Sequence, residues 1–288
     1  MDKITKPDFI NNFIWIYELS RLGIVVIILD SCDVFKTPVN SENPNDNPFD
    51  PTNPDYQPPL ATITQGPANG SVINNDYVTF SWTGNSSECQ FSYALDNAEP
   101  SVWSSGKTVT FNYLDDGDHS FQVKARYSVD DVQESPSEIT FNVNAIEGPA
   151  LWIYHKKTIT TINQNFSVDV VVEEVADLSM ISVVLNFDPV YLSVQDYEVL
   201  ESGSMLAGKE LIKVDSYDNI SGKLTVYLAL VDGSNTVLSG TGSIIRVSFL
   251  SLKRGTTEVE FCDDCYFRKS DNSAITIMNK VKSLVEIR

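Results

Sequence analysis

From Leu60 to the C-terminus, apolar and polar residues alternate in short runs separated by turn-formers, and no helical periodicity competes with them. Period-two alternation puts one set of side chains on each side of an extended strand. A chain written this way buries its apolar set by stacking sheets face to face. The first runs are VTFSW (78–82), QFSYAL (90–95), TVTFNYL (108–114), HSFQVKA (119–125) and EITFNV (138–143). Turn-formers such as Thr83-Gly84-Asn85 and Asp115-Asp116-Gly117-Asp118 stand between them. This spacing predicts a two-sheet sandwich over residues 60–146. A second series predicts another sandwich over 147–288: SVDVVVEEV (167–175), LSMISVVLNFDP (178–189), KLTVYLALV (223–231), GSIIRVSFLSL (242–252) and TEVEF (257–261). The expected fold class is therefore all-β, with two β-sandwich domains.

In the strand expected at 178–187, Ile181, Val183, Leu185 and Phe187 share one face, and Met180, Ser182, Val184 and Asn186 share the other. The first set reads as core. The second is semi-apolar and available.

The N-terminal residues carry Lys3, Lys6 and Arg21 ahead of an unbroken apolar run, Leu22–Leu29. As a helix that run rises only about 12 Å, against about 30 Å of bilayer hydrocarbon, so it fits the core of a secretory signal. Leu29-Asp30-Ser31-Cys32 resembles a bacterial lipobox, which implies acylation of Cys32 and a signal segment of residues 1–32. An uncleaved anchor from Phe9 to Leu29 is the alternative. Either way the chain is expected to be exported and held at a membrane, at the cell surface or outer membrane. Residues 33–59 hold Pro38, Pro44, Pro48, Pro51, Pro54, Pro58 and Pro59 among Asn and Asp, and read as an extended, disordered tether.

A formal net charge of -19 repels phosphate backbones, and no basic cluster reverses it locally, so nucleic acid is excluded as a partner. Catalysis finds no support: there is no G-x-S-x-G elbow, phosphate loop or H-E-x-x-H helix, and no carboxylate pair stands out among the 39 acidic residues. Cys262-Asp-Asp-Cys265 has no second pair of ligands to complete a zinc site, so a local disulfide is expected there, with Cys89 unpaired or buried. No cofactor is expected, and calcium enters only through a partner. The acidic turns 115–118 and 215–219 read as turn chemistry. His119 reads as structural, and Trp103 as a core or rim residue rather than a sugar platform.

Two resemblances add to this reading. Trp82, Tyr93 and the Leu114…Gly117-Asp-His119-Ser-Phe121-Gln-Val123-Lys-Ala125 unit resemble immunoglobulin-like or fibronectin type III modules of bacterial surface proteins, over residues 60–145. Over 148–288, the order FSVDVVV, LNFDPxxLSV (185–194), VLxSGSML (199–206), GKLTVYLAL (222–230) and GSIIRVSF (242–249) is similar to the cohesin family. That likeness implies a nine-stranded jelly roll that binds dockerin modules on one flat sheet face. It places Met180, Ser182, Val184, Asn186 and Tyr227 on that face, and makes a dockerin-like or other surface protein the expected partner, with polysaccharide degradation as the setting. A carbohydrate-binding sandwich and a structural or adhesion spacer are the competing readings. For the first, only the scattered Tyr191, Tyr197, Tyr217 and Tyr227 are on offer.

Overall fold

The computed structural model describes residues 47–127, 131–202, 204–231 and 237–288, and in addition the backbone of two strands, β1 (Trp15–Glu18) and β2 (Val25–Ile28). The chain divides into two units, Met1–Pro58 and Pro59–Arg288. In the first, β1 and β2 pair antiparallel, with Trp15 opposite Ile28 and Glu18 opposite Val25. The apolar run expected as a secretory core thus carries a strand, while Leu29, Ser31 and Cys32 lie outside the described residues. No helix among the described residues is long and apolar enough to cross a membrane.

Residues 47–56 form consecutive turns where an extended tether was expected. Asp50 Oδ1 accepts both the Thr52 N–H and its hydroxyl at 2.8 Å, and Asn53 Nδ2 donates to the Asn47 carbonyl at 2.9 Å. Short Asn and Asp side chains give the backbone local partners that a polyproline segment lacks.

The second unit opens with β3 (Ala61–Gln65), β4 (Ser71–Ile73), β5 (Tyr77–Gly84), β6 (Gln90–Leu95), β7 (Thr108–Asn112), β8 (Gly117–Arg126) and β9 (Ser137–Val143). They form two sheets, β3-β5-β7 and β4-β9-β8-β6, in which only β4 and β9 run parallel. The alternating aromatic residues close the core between them. Phe80 stacks on Phe121 with centroids 3.9 Å apart, and Trp82 lies against Phe91 and Tyr93.

The second sandwich contains β10 (Ala150–Tyr154), β11 (Lys157–Thr160), β12 (Asn165–Leu178), β13 (Met180–Phe187), β14 (Leu192–Val199), β15 (Leu211–Asp218), β16 (Lys223–Leu230) and β17 (Leu238–Ser251). It ends with β18 (Gly255–Phe261), β19 (Tyr266–Arg268), β20 (Ala274–Ile275), β21 (Asn279–Val281) and β22 (Ser283–Ile287). One sheet runs β14-β17-β12-β10-β21; the other runs β11-β22-β18-β13-β16-β15, with β19 and β20 attached beside β13. Thirteen strands stand among the described residues against the nine implied; the excess is four short pieces of two to four residues, β11, β19, β20 and β21. Val168 and Val170 of β12 and Ile245, Val247 and Phe249 of β17 meet Ile181, Val183 and Leu185 of β13 and Leu224, Val226 and Leu228 of β16. Each such side chain, fully buried, contributes about 1.5–3 kcal/mol. The odd residues of β13 thus form the core face expected of them.

The F-D-P-x-x-L unit folds as its residues dictate. Asp188 Oδ1 caps the Val190 N–H at 2.8 Å, its carbonyl accepts from Tyr191 and Leu192, and Leu192 returns to the core fully buried. Gly222 lies against the end of β13, its carbonyl accepting from the Phe187 N–H at 2.8 Å.

Candidate functional site

The outward face of the larger second-sandwich sheet carries cross-strand rows fixed by register. One row runs Val214, Tyr227, Ser182, Tyr266 across β15, β16, β13 and β19. The next runs Ile212, Ala229, Met180, Arg268. Val214 is 60% exposed, Ile212 59%, Tyr227 40% and Tyr266 39%, and Met180 is half-buried among them. Two rows further along, the face turns charged: Asp218, Lys223, Asn186 and Glu260 stand side by side. The face is therefore apolar at one end and ionic at the other. Arg268 closes the apolar end, its guanidinium 5.3 Å over the Tyr266 ring.

Of the residues expected on this face, Tyr227 is exposed and Met180 half-buried. Ser182 and Val184 are neither: each is 1% exposed. The cause is the Cys262–Cys265 turn. Phe261 pairs with Leu185 and Tyr266 with Ser182, so four residues, 262–265, stand opposite two, 183 and 184. The surplus folds against β13, where Cys262 N–H donates to the Val184 carbonyl at 2.8 Å and Ser182 Oγ donates to the Asp264 carbonyl at 3.2 Å. Asn186 is half-buried at the ionic end.

The same turn corrects the expected disulfide. Cys262 and Cys265 are free thiols, as is Cys89, which is buried as expected. Cys265 sinks into the core, accepting from the Val184 N–H at 3.2 Å and donating to its carbonyl at 3.4 Å, while Cys262 remains partly exposed. Burial pushes both thiols above their ordinary range.

Ile212, Val214 and Tyr266 were missed as face residues. For the first two the signal was present: Ile212, Val214 and Ser216 continue a period-two pattern in LIKVDSYD, masked by the charged residues alternating with them. Those alternate residues point the other way. Asp215 bonds Tyr197 of β14, and burial, that bond and the Asp215 charge push the Tyr197 hydroxyl up to about 12. The four tyrosines considered for glycan binding do not form a row. Tyr227 is outward on β16, Tyr217 and Tyr197 belong to the opposite side of β15, and Tyr191 lies under Lys253. Trp103 is half-buried with Arg126 4.6 Å above its ring, so that ring face is occupied.

The turn 115–118 is a joint between the two sandwiches. Asp116 Oδ2 accepts the N–H groups of Ala145 and Ile146 at 2.9 Å, and its Oδ1 takes the buried Lys156 ammonium at 2.7 Å. Asp115 accepts the Lys156 N–H at 2.7 Å and pairs with His155 Nδ1 at 2.5 Å. Ile146, Ala150, Trp152 and Val171 form a small apolar cluster of their own. A cleft of about 1070 Å³ opens beside the joint, lined by Asp96, Asp118, Glu138, Asn142, Tyr154 and His155 among others.

No protein-family profile matches the sequence, and no curated protein is similar to it. Solved structures to which the chain is similar include a non-cellulosomal cohesin from the archaeon Archaeoglobus fulgidus, with 14% identity over 48% of this chain and 90% of that one, at a TM-score of 0.40. A type II cohesin domain from the cellulosome of Acetivibrio cellulolyticus shares 15% identity over 46% of this chain and 94% of its own, at a TM-score of 0.39. A type I cohesin–dockerin complex from Clostridium thermocellum gives 15% identity, 48% and 98% coverage and a TM-score of 0.40.

Proposed function

We propose that this chain is a non-catalytic attachment protein: its second sandwich is a cohesin-like module that binds a dockerin-type partner, and its first, immunoglobulin-like, is a spacer. The observation that carries the reading is the exposed apolar end of the β15-β16-β13-β19 face, where Ile212, Val214, Tyr227, Met180 and Tyr266 sit together across four strands. Contiguous apolar surface rimmed by charge is the signature of a protein interaction site, and Tyr and Met are the side chains that such sites favour. The motif order across 148–288 supports the choice of partner. Because Ser182 and Val184 are sealed by the 262–265 turn, the contact is carried by the β15 and β16 side of the face. Acylation at Cys32 then holds the protein at the cell surface, in assemblies that degrade polysaccharide.

The test is retention of purified, calcium-loaded dockerin modules on the immobilised full chain, with and without a calcium chelator. Binding is expected only with calcium, and Val214→Asp or Tyr227→Asp is expected to weaken it at least about tenfold, as for a central interface side chain. Retention unaffected by both substitutions, or none for any dockerin tried, refutes the reading. Attachment is tested apart from this: Cys32→Ala is expected to turn membrane-bound protein into soluble protein.

A further inference from the structure

His119 stands at the joint with both ring nitrogens engaged. Nδ1 lies 2.9 Å from Asp96 Oδ2, and Nε2 lies 2.9 Å from the main-chain carbonyl of Asp115. A carbonyl oxygen and an ionised carboxylate only accept hydrogen bonds. Both contacts are therefore satisfied at once only when both nitrogens carry protons; a neutral imidazole must turn a lone pair toward one of the two acceptors. The ring is 10% exposed and stacks on Phe141, with centroids 5.4 Å apart, so it cannot swing out to water without cost. The carbonyl it holds belongs to Asp115, whose side chain grips His155 and the Lys156 backbone in the second sandwich.

We propose that His119 is a proton-dependent lock on the joint between the two sandwiches: doubly protonated, it fixes the Asp115–Asp116 turn onto His155 and Lys156, and loss of one proton releases that turn.

The charged surroundings agree in sign. The carboxylates acting on the ring are Asp96, just beyond β6, and Asp115 of the turn; Asp116 is turned to Lys156 and the Ala145 and Ile146 amides, and Asp118 of β8 and Glu138 of β9, the last bonded to Ser120 and Gln122, alternate to the other face of the sheet. The cation at the joint, Lys156, is taken up by Asp116. Burial opposes a charge on His119, but the hydrogen bonds to Asp96 and the Asp115 carbonyl, together with both carboxylate charges, outweigh it and hold the ring above the usual histidine range. His155 is likewise held up by its bond to Asp115, against the cost of burial and with help from the Asp115 and Asp169 charges. That bond needs one nitrogen only, so a neutral His155 keeps it. His119 is the group whose neutral form loses a contact. A raised histidine contributes stability that is complete below about pH 6.5, its unfolded value, and is lost as pH rises through the folded value.

The experiment is a pH titration of the full chain, labelled with nitrogen-15, from about pH 5.5 to 9. Two readouts are followed: the His119 ring nitrogens, and the hydrogen-exchange rates of the Ala145, Ile146 and Lys156 amides after correction for intrinsic exchange. Both ring nitrogens are expected to stay protonated to well above pH 6.5. The three amides are expected to lose protection at the same midpoint, roughly tenfold for each unit by which that midpoint exceeds the unfolded value. His119→Gln, whose two N–H donors share a single nitrogen and cannot reach acceptors that lie beyond two separate ring nitrogens, is expected to leave those amides unprotected and insensitive to pH. Asp96→Asn, which keeps an acceptor but removes the charge, is expected to move the midpoint and the amide response downward together, and serves if His119→Gln does not fold. A singly protonated His119 below pH 6.5, amides indifferent to its titration, or an amide response that stays in place in Asp96→Asn would each overturn the proposal.

Discussion

The pair Cys262 and Cys265 shows how much a single residue's surroundings add to its spacing. C-x-x-C in a chain expected to be exported suggests a disulfide, but Cys265 is spent filling the core and bonding both polar groups of Val184, and Cys262 is left at the surface. Burial raises both thiols, so at neutral pH neither is a good nucleophile. Alkylation of native protein at about pH 8, followed by mass spectrometry, is therefore expected to modify Cys262 slowly and to leave Cys265 and Cys89 untouched until denaturant is added. Recovery of a 262–265 disulfide from protein prepared without reductant would contradict this placement. Nothing in the local sequence reveals it. The position of Cys265 is decided by Val184, a strand partner far away in the chain.

At the scale of elements, what the sequence disclosed and what it hid separate by the range of the interaction. Alternation within β5, β8, β13 and β16 is a local pattern, and each strand buries the set that its own period assigns. The F-D-P-x-x-L turn is equally local, since Asp188 caps within two residues. The sealing of Ser182 and Val184 is different in kind: it follows from four residues facing two across a strand pair, a mismatch visible only once the register is known. Strand β15 escaped notice because Lys213, Asp215 and Asp218 break its apolar pattern, as charges on an edge strand commonly do. One element-scale constraint can be tested directly. Gly222 has φ +69°, and a Cβ placed there would lie 2.0 Å from the Phe187 carbonyl oxygen. The turn between β15 and β16 thus leaves no room for a side chain where it touches the end of β13. Gly222→Ala combines left-handed strain of about 1–3 kcal/mol with a backbone collision. Its thermal midpoint is expected to fall by about 2–4 °C for each kcal/mol lost, and binding at the β15–β16 face should weaken in parallel. An unchanged midpoint would mean that the turn is looser than its geometry states.

At the scale of the whole folded unit, Asp116 decides whether the two sandwiches behave as one body. Its two carboxylate oxygens take the N–H groups of Ala145 and Ile146, in the connection between the sandwiches, and the Lys156 ammonium, whose side chain is 2% exposed. Removing one partner of such a pair leaves a buried charge without compensation, which costs about 3–5 kcal/mol, whereas the pair itself adds little over an apolar substitute. The role of Asp116 is thus specificity of arrangement more than net stability. Two sandwiches with separate cores have no need to melt together unless something couples them. The couplings in view are this carboxylate, the Asp115 contacts and the small Ile146–Trp152 cluster. Wild-type protein is accordingly expected to unfold in one calorimetric transition. Asp116→Ala is expected to lower the midpoint and split that transition into two, while the double variant Asp116→Ala with Lys156→Met, which removes the stranded charge as well, recovers the midpoint without restoring the single transition. A double variant that melts as one would assign the coupling to the apolar cluster and take it from the carboxylate.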